Sequence, residues 1–169
     1  MNQVPERART PKPGTSFARA LKRTNDILLA IFYVAFGVLI AAELATGSLW
    51  FWPCLITSAV AFAAVSVFRD VYNAPRPYEV TGRAPAFPKE TKGHSFPSRH
   101  VFSAFMIAFD WVAFCWPVGF VLLCAAAVVA WVRWRAGVHF LRDVIAGFVA
   151  AAIAAALGLW LVPAVCGIA

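Results

Sequence analysis

The stretch RWRAGVHFLRD, Arg133 to Asp143, packs Arg133, His139 and Asp143, with Arg135 and Arg142, into the joint between two apolar runs. Charge is expensive there, so a cluster of it points to a bound partner, and its sign points to an anion. His139 and Asp143 lie four residues apart; on a helix they share a face, where a carboxylate fixes the tautomer of an imidazole and supports its positive form. Two earlier fragments carry matching chemistry, Arg69-x6-Arg76-Pro77 and Pro97-Ser98-Arg99-His100. Guanidiniums offer planar, paired donors that fit phosphoryl oxygens. A helix beginning near Ser98 would add free backbone N–H groups. Phosphoryl transfer without a metal needs a nucleophile, an acid for the leaving group and counter-charge around the equatorial oxygens. His139 backed by Asp143 supplies the first, and the arginines supply the third. His100 supplies the acid and later the base for water. No DxD, HExxH or cysteine cluster points to a metal, and the chemistry calls for no cofactor.

These fragments need elements to position them. The chain has 169 residues, of which 62% are hydrophobic and 14% charged, with a mean hydropathy of +0.73. A soluble domain carries roughly a quarter charged residues. The composition therefore predicts an all-α integral membrane helical bundle of about five transmembrane helices. Residues 1–26 form a basic N-terminal segment and residues 27–169 the transmembrane domain. Ser16 to Asp26 fits either a short amphipathic helix on an anionic membrane face or an unstructured basic lead that sets topology.

Ile27 to Ala45 is an apolar run interrupted only by Glu43, close to the ~20 residues that cross a bilayer core, and it reads as a retained span. Leu49 to Phe68 is the second. Arg69 to His100 holds five prolines and reads as an ordered loop. Val101 to Val132 would make one helix of ~48 Å, too long for a ~30 Å core. A turn at Trp116-Pro117-Val118-Gly119 splits it into spans over Pro97 to Cys115 and Pro117 to Val132. The last span runs from Val138 to Val162. Two spans between the loop and the Arg133–Asp143 stretch return both to the same side, where they can meet; a single span would part them.

Charge agrees with this arrangement. All 15 Lys and Arg fall before the first span, between Arg69 and Arg99, or between Arg133 and Arg142, which is one side of a five-span chain. The chain is expected to be a multi-pass protein of a prokaryotic cell membrane, and the positive-inside tendency puts its N-terminus and the site on the cytoplasmic side. Nucleic-acid binding does not follow from the net charge of +7, because the basic residues lie at membrane borders. Arg83, Lys89, Lys92, Arg135 and Arg142 read as headgroup or topology charges. His94 reads as a loop histidine. Cys54, Cys115, Cys124 and Cys166 read as packing residues. Glu43 and Asp110 fall toward the far end of the bundle, as functional intramembrane acids or wet interfacial carboxylates. Trp111, Trp116, Trp131, Trp134 and Trp160 read as interfacial anchors.

The three fragments resemble the signature motifs of the type-2 phosphatidic acid phosphatase superfamily, K-x6-RP, PSGH and SR-x5-H-x3-D, in order and with internal spacing intact over residues 69 to 143. The resemblance implies a helical bundle related to vanadium haloperoxidases and a membrane lipid phosphatase without a metal requirement. It implies that Arg69, Arg76 and Arg133 bind phosphate and that Ser98 hydrogen-bonds it. It also implies that His139 forms a phosphohistidine, Asp143 orients it and His100 protonates the leaving group. Arg69 stands where the family usually has Lys, Val132 where it has Ser, and Arg99 where it has Gly, which puts a bulky substrate-facing cation at the mouth of the site. Familiar members also have one more span before the first motif. The expected substrate is a lipid phosphomonoester or diphosphate of the isoprenyl diphosphate, phosphatidic acid or phosphatidylglycerol phosphate class. Its tail enters laterally from the surrounding membrane lipids. Two alternatives remain open: a phosphotransferase passing the phosphoryl group to a lipid or sugar hydroxyl, and a non-catalytic lipid-binding or transport protein.

Overall fold

A computed structural model gives the structure, which describes residues 10–87 and 91–161. Helix α1, Ser16–Thr46, starts where the Thr15 hydroxyl accepts the Ala18 N–H at 3.2 Å and stops at Gly47, whose φ of 63° suits glycine. No Pro or Gly interrupts the first twenty residues, and Lys22 pairs with Asp26 at 2.7 Å along the helix. Ser16 to Asp26 is therefore neither a separate amphipathic segment nor an unstructured lead but the first part of one continuous helix. At ~46 Å this helix outreaches the bilayer core, so its basic end projects beyond the apolar layer. Its buried stripe of Ala18, Leu21, Asn25, Phe32, Leu39 and Glu43 follows helical spacing.

Helix α2, Phe51–Tyr72, ends at Asn73, whose φ of 42° is a left-handed cap. A short helix α3, Pro77–Thr81, sits in the following loop. Helix α4, Arg99–Phe114, is followed after Cys115 alone by α5, Trp116–Arg135. The long apolar run is thus broken one residue before the expected turn. Cys115 takes an extended backbone, and Pro117 fits the first turn of α5 because it needs no N–H partner there. A Cβ on Gly119 would lie 2.4 Å from the Val112 backbone nitrogen, so glycine allows the two helices to approach at the turn. Helix α6, Leu141–Ala155, continues as a π-helical turn over Ala156–Leu161.

The segments Ser16–Thr46, Phe51–Thr81, Trp116–Arg135 and Leu141–Leu161 are long and apolar enough to cross a membrane. The fifth long helix, α4, has 16 residues, ~24 Å, and is the inner element of the bundle, packed against α1, α2, α5 and α6. Val101, Phe102, Met106 and Ala108 on α4 meet Phe32, Leu39, Val129 and Ala151 in the main core. The other helices turn Val34, Val38, Val60, Val67 and Val121 outward, the side chains a lipid environment accepts.

A second cluster of Ala18, Leu21, Ala86, Phe87, Val132, Ala136 and Val138 ties the start of α1 to the loop and to the α5–α6 turn. It gathers the basic stretches at one end of the bundle. Trp111 corrects the anchor reading: it is buried and donates its Nε1–H to the Ala35 carbonyl at 3.0 Å, tying α4 to α1. Glu43 and Asp110 are likewise buried instead of wet, with Ser58 Oγ donating to Asp110 Oδ2 at 2.7 Å.

Candidate active site

Arg69 lies in the last turn of α2, Arg76 caps α3, and Arg133 lies in the last turn of α5. All three are buried, at 7%, 4% and 2% exposure. Buried guanidiniums need acceptors, and here the loop backbone supplies many of them. Arg69 donates from Nη1 to the Pro97 carbonyl and from Nη2 to the His94 carbonyl. Arg76 donates to the carbonyls of Gly93 at 2.9 Å, Val138 at 3.3 Å and His94 at 3.5 Å. Glu79 accepts the backbone N–H of Arg76 at 3.1 Å and of Gly93 at 2.7 Å, tying the first motif to the second. His94 does sit in the loop, with its ring 3.1 Å from Asp70, while its carbonyl serves two arginines.

Ser98 precedes α4, and its N–H donates to the Asp143 carbonyl at 2.9 Å, joining the second motif to the third. Close crossing of α4 and α6 makes this possible: a Cβ on Gly147 would come within 2.7 Å of the Ser98 carbonyl oxygen. At the start of α6, Asp143 Oδ2 accepts the Phe140 N–H at 3.0 Å, so the carboxylate caps its own helix. The same oxygen accepts the Ser95 hydroxyl at 2.5 Å. His139 Nδ1 lies 3.6 Å from Asp143 Oδ2, longer than a hydrogen bond, and 3.5 Å from Ser95 Oγ. Ser95, Asp143 and His139 therefore form one buried polar group. With Nδ1 facing its partners, Nε2 is the other nitrogen, the one left for substrate.

Burial holds the His139 imidazole well below its ordinary pKa, against the pull of Asp143 and in the same direction as the nearby Arg133 and Arg76. A neutral imidazole keeps a lone pair for attack. Arg133 Nε, Arg133 Nη2 and Ser98 Oγ are buried without a hydrogen-bond partner among the described residues. Two donors and a hydroxyl in that state match the oxygens of a phosphate.

Arg99 and His100 lie in the first turn of α4. With Leu29, Phe32 and Tyr33 of α1 and Phe62 of α2 they line a cavity of about 140 Å³. A larger apolar cavity of about 280 Å³ shares Tyr33, Phe62, Ser103 and Ile107 with it. Of the arginines read as headgroup or topology charges, Arg135 stacks over Phe17 at 5.7 Å, while Arg142 is exposed over Phe140 and 3.5 Å from Asp143 Oδ1. No group of three His, Cys, Asp or Glu side chains among the described residues is placed to hold a metal ion.

Residues 49–165 match the PAP2 superfamily. The chain belongs to this superfamily. Among curated proteins no sequence matches. The crystal structure of Aquifex aeolicus LpxE shares 21% identity and a TM-score of 0.62, covering 83% of this PAP2 chain and 93% of that one. The crystal structure of the first transmembrane PAP2 type phosphatidylglycerolphosphate phosphatase from Bacillus subtilis shares 20% identity and a TM-score of 0.63, covering 92% and 81%. At that identity the likeness concerns the fold.

Two contributors, Ser95 and Asn25, were not singled out in the sequence. Glu79, which the sequence offered only as a candidate headgroup contact beside Tyr78, instead braces the loop backbone. Ser95 is brought in by the loop path, which local sequence does not reveal. Asn25 Oδ1 accepts Arg133 Nη1 at 3.2 Å, from a position before the matched region. The polar Asn25 on an otherwise apolar stripe with Ala18, Leu21 and Phe32 was the available signal. Replacing it, as Asn25→Leu, withdraws an acceptor from a buried cation and is expected to cost about 1–3 kcal/mol, read as a lower unfolding temperature in detergent. In a double-mutant cycle the loss shrinks when Arg133→Met is already present. An undiminished loss would show that the contact with Arg133 contributes nothing.

Proposed function

We propose that the protein is an integral membrane lipid phosphatase that hydrolyses a lipid phosphomonoester or diphosphate through a phosphohistidine on His139. Membership of the PAP2 superfamily and the four apolar spans make it a membrane phosphatase. The observation that carries the mechanism is the meeting of buried, partly unpartnered Arg133 and Ser98 with a neutral His139 beside Asp143. Phosphate oxygens take the free donors of Arg133 and Ser98, with Arg69 and Arg76 as further counter-charge. His139 Nε2 forms the N–P bond while the P–O bond to the lipid breaks. That oxygen leaves with a proton from His100, and His100 then takes a proton from the water that splits the N–P bond. The cavities beside His100 accommodate the apolar tail. The Bacillus subtilis neighbour is described as a phosphatidylglycerolphosphate phosphatase, which keeps that class among the substrates to assay, with isoprenyl diphosphates and phosphatidic acid.

Phosphate release in detergent with EDTA present tests this reading. His139→Ala is expected to lose at least ~10³-fold in kcat, while wild type keeps its rate with the chelator. Equal rates for the two proteins would end the proposal. Because burial lowers the His139 pKa, its neutral form persists as pH falls, and the acid limb of kcat/KM should lie below the ordinary imidazole range. Phosphate transfer from substrate to added acceptor lipids, in place of release, would identify the transferase alternative.

The basic end of the bundle is proposed to face the cytoplasm. Single cysteines at Gly47 and Thr91, in a background lacking the natural ones, should label from opposite sides of intact cells, with Thr91 protected. Labelling of Thr91 from outside would reverse the assignment.

A further inference from the structure

Arg99 is exposed at the start of α4, immediately after Ser98, and its guanidinium lies 5.5 Å from the centroid of the Phe62 ring. The ring face holds the cation against the cavity that Arg99 lines with His100. Because His100 is the acid for the leaving oxygen in the phosphatase reading, lining the same cavity puts Arg99 on the leaving-group side of the reaction. Arg69 donates to the carbonyl of Pro97, two residues before Arg99. Asp70 near by is turned to the His94 ring. Positive charge therefore continues from the phosphate-binding arginines to the point where a lipid leaves the site. A simple phosphomonoester has no anionic group at that point; its leaving oxygen carries only carbon. A diphosphate does, because the phosphate that stays with the lipid lies there.

We propose that Arg99 makes the enzyme selective for lipid diphosphates over lipid monophosphates by binding the phosphate that remains on the leaving group. The inference rests on the phosphatase reading given above. The terminal phosphate occupies the site of Arg133 and Ser98, and His139 Nε2 bonds to its phosphorus. The bridging P–O bond breaks with its electron pair going to the bridging oxygen, which takes the proton held by His100. The product that departs is the lipid monophosphate, and water then cleaves the N–P bond to give inorganic phosphate and free His139. A phosphate leaving group is less basic than an alkoxide. It depends less on the acid and more on counter-charge, which Arg99 supplies through charge-assisted hydrogen bonds.

The test uses the full chain in detergent micelles with two probes sharing one tail, farnesyl diphosphate and farnesyl monophosphate, and reads the ratio of their kcat/KM values. Wild type should favour the diphosphate. Arg99→Gly should lower the ratio roughly ten- to hundredfold, and Arg99→Lys should restore much of it. A wild type that favours the diphosphate while Arg99→Gly shows the same ratio overturns the inference and leaves the phosphatase reading standing. A wild type releasing phosphate from neither probe, nor from a broad lipid panel, overturns both. Because each protein serves as its own reference between the two probes, a variant with less folded enzyme still returns a meaningful ratio.

Discussion

Three guanidiniums buried at one end of a membrane bundle impose the condition that the rest of the site satisfies. Each must find acceptors or be given an anion. Arg69 and Arg76 draw in the carbonyls of Gly93, His94, Pro97 and Val138, and in doing so set the path of the loop and dock it on the α5–α6 turn. Glu79 reinforces that path through two backbone N–H groups. Arg133 receives Asn25 but retains two nitrogens without partners among the described residues. The same charges that organise the loop therefore leave a small number of buried donors available to a ligand.

The chain delivers these groups to one place by folding back at Cys115. Helix α4 carries Ser98, Arg99 and His100 at its start, and α5 runs back to present Arg133 at its end. Glycines at 119 and 147 let α4 press closely on α5 and α6. The Ser98–Asp143 backbone bond then fixes the relative height of the second and third motifs. Asp143 serves both as cap of α6 and, with Ser95, as support for His139, so helix geometry and site geometry are set by one carboxylate.

Much of this was legible in the sequence because it follows from length and spacing. A 32-residue apolar run cannot be one span, and the four-residue interval of His139 and Asp143 anticipates their proximity. Helix α6 nevertheless begins at Leu141 and not at Val138, so His139 sits in the turn before the helix and does not share a helix face with Asp143. The grouping of the arginines followed from parity. What was not legible depends on tertiary contacts. Whether Trp111 anchors at an interface or ties two helices is decided by the position of α1. Asp110 is dry because α2 brings Ser58 to it. The interposition of Ser95 between His139 and Asp143 depends on a loop whose course is set by distant arginines. The amphipathic character of Ser16–Asp26 was visible, but its continuity with the first span rests on the absence of any breaker, a weaker signal than a breaker's presence.

The claim on which the account turns is that His139 itself carries the phosphoryl group. Turnover of a lipid phosphate can be stopped with alkali, which preserves phosphohistidine, and the protein fragmented for mass spectrometry. The account predicts a phosphoryl group on the His139 side chain that disappears as the substrate is exhausted. Phosphate on Ser98 or His100, or rapid turnover with no phosphorylated protein at any time, would contradict it.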